Sequence, residues 1–452
     1  MIEKNENSAN LNYDNEKNPR VAIYNLGCKV NQYEAEAMMD EFKQEGFNIV
    51  EFSRKADVYI INSCAVTTSA ASKSRKRARR AKRRGGEESL VIMAGCYSQV
   101  SPAEVEKIEE IDYIIGSDQK DKLVEKIIEL LSDQNWKYSR TDYQNMNSFP
   151  EFEVREIENR TRANIKIQDG CDQFCSYCII PYARGQKRSR SSREIIEEVK
   201  RLRKNGVKEF VLTGIHLGAY GDDFSRENEH LAQLLQKMIE IEGRFRIRLS
   251  SIEIKEITEE ILELIADSDK ICSHLHIPLQ SGSNEILADM NRPYTSEEFI
   301  HKVAWIREKI PDIAISTDVM VGFPGENRGD FAETCNLVEK IEFSRIHVFN
   351  YSQRPGTKAA EMSDQVDSEI KKKRSKELRD LGSNLRYRYE KKFLHKKLNI
   401  LYERKNKDGT FSGYSENYIR VKTAAGKDLT NSFQKVKLTE IRKNDENLAV
   451  LE

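Results

Sequence analysis

Three thiols stand within eight residues in Cys171-Asp172-Gln173-Phe174-Cys175-Ser176-Tyr177-Cys178, spaced C-x3-C-x2-C. A [4Fe–4S] cube ordinarily takes four thiolates, one per iron. A local run of three leaves one iron open to a small molecule. A structural zinc site wants four closed ligands, often as two C-x2-C pairs, and the chain has no second pair. The compact trio therefore points to an open iron–sulfur cluster rather than zinc or a disulfide set. Phe174 and Tyr177 lie between the thiols, where aromatic rings can shield a cluster from water, and Gly170 lets the loop turn tightly.

A second trio is dispersed. Cys28, Cys64 and Cys96 each follow a short apolar run, in Leu26-Gly27-Cys28, Asn62-Ser63-Cys64 and Ala94-Gly95-Cys96. Any one alone reads as a small core residue. Three at the same point of successive units favour a second three-ligand metal site. Cys272 and Cys335 stand apart and read as core thiols.

The elements that must position these thiols are visible in the hydropathy pattern. Runs at 21–24, 58–61, 90–94 and 113–116 are β-rich and non-alternating, as buried parallel strands are. Helical stretches separate them; Asn31 is placed to cap a helix over 32–45, and Ser69 or Ser72 to start a basic one. Residues 20–132 thus make a small parallel α/β sheet, whose C-terminal strand edge gathers the dispersed thiols. A polar lead over 1–19 reads as disordered. A connector over 133–158 carries Trp136 and Phe149-Pro150 as anchors.

Over 159–392, six strand–helix units and a trailing charged helix follow, giving a partial (β/α)6 barrel open on one side. Chemistry in such barrels sits at the C-terminal strand ends. Those ends carry Gly214, Glu253, Gln280 and Asp318, which with Tyr177 form a candidate pocket for a polar organic cofactor. Gly214 lets a ligand approach backbone, while Glu253, Gln280 and Asp318 can bind hydroxyls or an amino group. His216 and His276 receive no role. Arg184, Lys187, Arg188 and Arg190 read either as a phosphate clamp at the pocket mouth or as an exposed loop. Over 393–452, short alternating runs broken by Gly409, Gly413 and Gly426 suggest a small β-barrel of the oligonucleotide-binding kind. Tyr414, Tyr418 and Arg420 fall along one run, able to stack on bases or simply to form an exposed strand face.

Lys and Arg (74) balance Asp and Glu (74), so charge distribution says more than net charge. Nine cations and no acid occupy the twelve residues from Lys73 to Arg84, a candidate polyanion surface. No apolar run reaches membrane-spanning length and no signal-peptide core opens the chain, so a cytoplasmic, reducing setting is expected. Eight cysteines there favour metal or redox chemistry over disulfides.

The C-x3-C-x2-C run resembles that of the radical S-adenosylmethionine (radical SAM) enzymes. The whole order resembles the methylthiotransferase family, whose C-terminal barrel is called TRAM. The resemblance rests on Gly27-Cys28-Lys29-Val30-Asn31, Asn62-Ser63-Cys64-Ala65-Val66-Thr67, Ala94-Gly95-Cys96-Tyr97 and the local trio. It implies two [4Fe–4S] clusters, one on Cys171, Cys175 and Cys178 and an auxiliary one on Cys28, Cys64 and Cys96. It implies S-adenosylmethionine as cofactor, cleaved to an adenosyl radical at the first cluster. A sulfur at the second would be methylated and transferred to an unactivated carbon. The stretches 27–36 and 212–221 are similar to the branch acting on N6-threonylcarbamoyladenosine at position 37 of tRNA, in the anticodon loop. Sister branches act on isopentenyl-adenosine in tRNA or on an aspartate of a ribosomal protein; the basic segments favour RNA. A reductant protein and a sulfur source are further implied partners, and no membrane. The competing class is a non-catalytic iron–sulfur RNA-binding or electron-transfer protein.

Overall fold

The computed structural model describes residues 18–132, 138–155, 160–224, 229–443 and 445–452. Most of the lead expected to be disordered, and the anchor Trp136, lie outside the described residues. The chain divides into two units: Met1–Ala65 with Ser69–Asp142 and Pro150–Glu153, and the remainder.

The first unit runs β1 (Arg20–Asn25), α1 (Lys29–Gln44), β2 (Asn48–Ile49), β3 (Val58–Ser63), α2 (Thr68–Gly85), β4 (Leu90–Gly95), α3 (Cys96–Val100), α4 (Pro102–Glu106), β5 (Tyr113–Ile115), α5 (Leu123–Ser132) and β6 (Tyr138–Ser139). Its strands form one parallel sheet in the order β2-β1-β3-β4-β5-β6. All six residues of β3 are buried, as its unbroken apolar run requires. Ala71, Ala78 and Ala81 of α2 join Tyr59, Ile61, Val91 and Met93 in one core cluster. Small side chains on that face let the helix lie close to the sheet. One expectation is corrected: α1 begins at Lys29 with Cys28 as its N-cap, so Asn31 is inside the helix and caps nothing.

The second unit runs β7 (Arg162–Lys166), β8 (Gln168–Asp169), α6 (Ile180–Arg184), β9 (Arg188–Ser189), α7 (Ser192–Lys204), β10 (Glu209–Thr213), α8 (Leu231–Ile239), β11 (Arg246–Leu249), α9 (Glu259–Asp267), β12 (His274–His276), α10 (Asn284–Asp289), α11 (Ser296–Lys309), β13 (Ala314–Val321), α12 (Arg328–Ile341), β14 (Arg345–Asn350), α13 (Lys358–Glu361) and α14 (Ser368–Lys391). It ends in β15 (Lys397–Lys405), β16 (Phe411–Ser415), β17 (Arg420–Thr423), β18 (Ser432–Glu440) and β19 (Asn447–Leu451). Two parallel three-stranded sheets, β11-β10-β7 and β12-β13-β14, are joined by the bridges Ile247↔Ile271 and Ser251↔His276. The result is a six-stranded parallel series open between β7 and β14, the partial barrel expected. The last five strands close as β15-β16-β17-β19-β18. Strand β19 is an addition to the runs read from the sequence.

Tyr414 and Tyr418, offered to bases by their spacing, are instead engaged with the start of the parallel strands. Arg248 stacks 4.0 Å from the Tyr418 ring centroid and Arg162 4.8 Å from that of Tyr414, while Arg420 pairs with Glu446. The cause is Glu209, fully buried at the head of β10. It contacts Arg162 and Arg248 at 3.0 Å and also Arg246. Burial alone would raise its pKa, but the three guanidiniums outweigh that and hold the carboxylate well below its usual range. Arg246 and Arg248 then donate onward to the carbonyls of Tyr414 and Glu416, at 3.1 and 2.8 Å.

Candidate metal centres and cofactor pocket

The compact trio sits on a loop that leaves the C-terminal end of β7. Strands β8 and β9 pair antiparallel across its base, and Cys171 N–H donates to the Gly185 carbonyl at 3.0 Å. Beneath lies Asp169, only 1% exposed, paired with Lys166 at 2.7 Å, Arg184 at 3.1 Å and Arg188 at 3.8 Å. Burial opposes ionisation of Asp169, but Arg184, Lys166 and Arg188 prevail and hold it far below the normal carboxylate range. The far side of the loop is tied down by Ser176, whose N–H and Oγ donate to the carbonyls of Met290 and Asp289.

Two charged side chains reach the thiols. Arg292, buried, donates to Cys175 Sγ at 3.4 Å and pairs with Glu253 through its other nitrogen. His216 places Nδ1 3.7 Å from Cys171 Sγ and its Nε2 against Glu256. Burial works against the charged imidazole, yet the Cys171 thiol and the Glu256 carboxylate push its pKa up to about 10. Burial pushes the Cys178 thiol up to about 12, with Cys175 and Cys171 adding to the shift. Thiols so placed become thiolates when a metal takes the proton's place. Neither Arg292 nor His216 was assigned from sequence, because the contacts join residues 117 and 45 positions apart.

The dispersed trio is assembled by the sheet. In register, Ser63 on β3 lies opposite Gly95 on β4, and Asn25 on β1 opposite Asn62, so all three cysteines follow neighbouring strand ends. Side chains stitch the three loops together. Asn31 Nδ2 donates to the carbonyls of Leu26 (2.7 Å) and Ser63 (3.0 Å), and Asn62 Nδ2 to Asn25 Oδ1 and the Asn31 carbonyl, both 2.9 Å. Ser63 Oγ donates to the Ala94 carbonyl at 2.6 Å and accepts from Tyr97 N–H at 3.2 Å. Gly27 holds φ +108°, strained for any residue with a side chain, and a Cβ there would crowd Cys64 Sγ at 3.1 Å. A Cβ on Gly95, at φ +98°, would stand 2.9 Å from the Ser63 carbonyl oxygen.

Three thiols at each site are the donor set for three corners of a four-iron cube, with the fourth corner left open. None of the eight cysteines is in a disulfide. Among the described residues no three His, Cys, Asp or Glu side chains converge as a single metal ion would require.

The pocket residues lie at strand ends. Tyr177 packs against Ile286, Met290, Phe323 and Tyr351, and burial pushes its hydroxyl pKa well up, whereas Phe174 is 41% exposed. Gly214 faces Gln168, whose Oε1 accepts from His216 N–H at 2.7 Å. Gln280 holds the left-handed φ of +63°, strained for a residue with a side chain, and bridges to Val319. Asp318 Oδ1 lies 3.2 Å from His276 Nε2. Ser250 Oγ, at the end of β11, is buried without a hydrogen-bond partner among the described residues, a vacancy a polar ligand would satisfy. The clamp read from Arg184, Lys187, Arg188 and Arg190 is corrected: Asp169 takes two of them, Glu198 takes Arg190, and Asp172 and Asp222 take Lys187. Cys272 is a core thiol as expected, whereas Cys335, read likewise from the sequence, is only half-buried on α12.

Among the described residues no helix is long and apolar enough to cross a membrane. Residues 165–338 match the radical SAM superfamily, and residues 20–116 match uncharacterized protein family UPF0004. The chain is 40% identical to a threonylcarbamoyladenosine tRNA methylthiotransferase MtaB of Bacillus subtilis, covering 92% of this chain and 93% of the relative. It is 37% identical to a tRNA-2-methylthio-N(6)-dimethylallyladenosine synthase of Thermoanaerobacter pseudethanolicus, over 82% and 79%. A solved radical SAM methyltransferase, TsrM of Kitasatospora setae, shares the fold at a TM-score of 0.57 and 15% identity, over 76% and 75%. Both trios sit at the C-terminal ends of parallel strands, within two matched regions that together span most of the chain, and the chain belongs to the radical SAM methylthiotransferase family.

Proposed function

We propose that this enzyme adds a methylthio group to carbon 2 of N6-threonylcarbamoyladenosine at position 37 of tRNA. The observation that carries the reading is the pair of three-thiol sites, each at a strand-end edge and each one ligand short of closing a cube. The relative at 40% identity supports this adenosine over its dimethylallyl counterpart.

The family uses S-adenosylmethionine and [4Fe–4S] clusters, which supply radical cleavage and a transferable sulfur. Cys171, Cys175 and Cys178 would hold one cluster, and Cys28, Cys64 and Cys96 the other. Arg292 donates to Cys175 and fixes Glu253 beside the compact trio. Tyr177, Gly214, Glu253, Gln280 and Asp318 form the proposed wall of the S-adenosylmethionine pocket, with Ser250 as an added donor. Residues 20–132, 159–392 and 393–452 are proposed as methylthiotransferase, radical SAM and TRAM domains, working in the cytoplasm with a reductant protein and a sulfur source.

The test is nucleoside mass spectrometry of tRNA from a deletion strain. The expected result is loss of the methylthio group from threonylcarbamoyladenosine, restored by the wild-type gene. Loss from isopentenyl-adenosine instead would move the enzyme to the sister reaction.

A further inference from the structure

The nine cations of α2 are not equivalent. Successive helical residues are rotated by about 100°, which sorts α2 into three sectors. Ala71, Ser74, Ala78, Ala81 and Gly85 occupy one sector and are buried. The next sector holds Arg75, Arg79 and Lys82, which pair with Glu104 (3.9 Å), Glu110 (3.7 Å) and Asp112 (3.0 Å). The third holds Lys73, Lys76, Arg77, Arg80, Arg83 and Arg84, and none of these pairs with an acid among the described residues. Arg77 stacks 4.2 Å from the Tyr24 ring centroid and Arg84 donates to the Phe52 carbonyl. Lys73, Lys76, Arg80 and Arg83 are exposed.

An ordinary solvated face mixes charge signs, as α14 does with Glu369, Glu377 and Asp380 among its lysines. Favourable interaction with the helix dipole accounts for cations in the last turn, Lys82 to Arg84, but not for Lys73, Lys76 or Arg80. Like charges three and four residues apart, such as Lys76 and Arg80, destabilise a helix. The packing gives acids to one sector and withholds them from the next, so the repulsion there awaits an external polyanion. The stripe from Lys73 to Arg84 is about 16 Å long at 1.5 Å per residue, and α2 begins four residues after Cys64.

We propose that Lys73, Lys76, Arg80 and Arg83 form a phosphate-binding rail that holds the tRNA backbone as it leads away from the dispersed cysteine edge. The proposal rests on the tRNA reading above. Contacts to phosphate position a nucleic acid without reading its sequence, so the rail serves any tRNA bearing the modified base.

The test is equilibrium binding of full-length tRNA to the cluster-loaded enzyme across a salt series. Two variants are compared: Lys73→Gln/Lys76→Gln/Arg80→Gln/Arg83→Gln, and Arg75→Gln/Arg79→Gln/Lys82→Gln. The first is expected to flatten the slope of log K against log salt by about 3, at 0.7–0.9 per lost phosphate contact, with a melting temperature at or above that of the wild type. The second is expected to lower the melting temperature while keeping a slope nearer to wild type. Equal flattening by both variants would overturn the rail as a distinct sector. An unaltered slope in the first variant would show that the stripe makes no phosphate contact with tRNA and overturn the proposal, leaving the enzyme's reaction intact. Wild-type enzyme that binds no tRNA at any salt would overturn the tRNA reading itself, and the rail with it.

Discussion

The two thiol trios solve one problem by opposite means. Cys171, Cys175 and Cys178 lie on a single loop, closed by the β8–β9 pair and footed on a buried carboxylate with three cations. Cys28 and Cys96 stand 68 positions apart in sequence (96 less 28), with Cys64 between them, and the three share one sheet edge only because three parallel strands end together. The first trio is held by local geometry and charge. The second is held by sheet register and by the hydrogen bonds of Asn31, Asn62 and Ser63, with Asn62 backed by the buried Lys120–Glu34 pair. Removing one partner of a buried charge cluster costs more than removing one amide of a hydrogen-bonded stitch, so the two sites should fail differently.

The largest effect is expected from the thiols themselves. Cys175→Ala should lower the iron content of anaerobically reconstituted enzyme from about eight to about four per chain and abolish 5′-deoxyadenosine formation. Cys64→Ala should lose the same amount of iron yet keep that cleavage. Iron analysis with chromatography of the nucleoside products checks both, and loss of cleavage in Cys64→Ala would erase the division between the sites.

Next comes the charge beneath the compact trio. Asp169→Asn leaves Lys166, Arg184 and Arg188 without their buried carboxylate, and should destabilise the second unit by about 3–5 kcal/mol. Asp169 has a folded pKa below its unfolded value of about 3.9. Its contribution is therefore complete above that value and is lost as pH falls further toward the folded pKa. Chemical denaturation of metal-free protein should show a constant gap between wild type and variant from pH 7 to about 5, narrowing below about 4.

The smallest effect belongs to the stitch. Asn31→Ala strands the carbonyls of Leu26 and Ser63 and should cost about 1–3 kcal/mol. Its iron loss should fall on the dispersed site alone. Equal loss from both sites, seen by Mössbauer spectroscopy of the reconstituted variant, would remove the contrast.

Much of this molecule is legible along the chain. Unbroken apolar runs announced β1, β3 and β4, and alternating strand and helix signals announced all six strands of the partial barrel. Cysteine spacing marked both trios. The basic run of α2 was plain, but which of its cations have partners was not, because Glu104, Glu110 and Asp112 arrive from later elements. For the same reason the spacing of Tyr414 and Tyr418 does not reveal that Arg162 and Arg248 lie against their rings.

The sequence by itself determined the kinds of donor present and the elements that carry them, since hydropathy period and cysteine spacing are local quantities. Only the tertiary structure decided partners: Arg292 at Cys175, His216 at Cys171, Asn31 between two cysteine loops, Asp169 beneath the compact trio. A buried charge or amide must find its complement in space, and the chain supplies that complement from wherever the fold brings one within hydrogen-bonding distance.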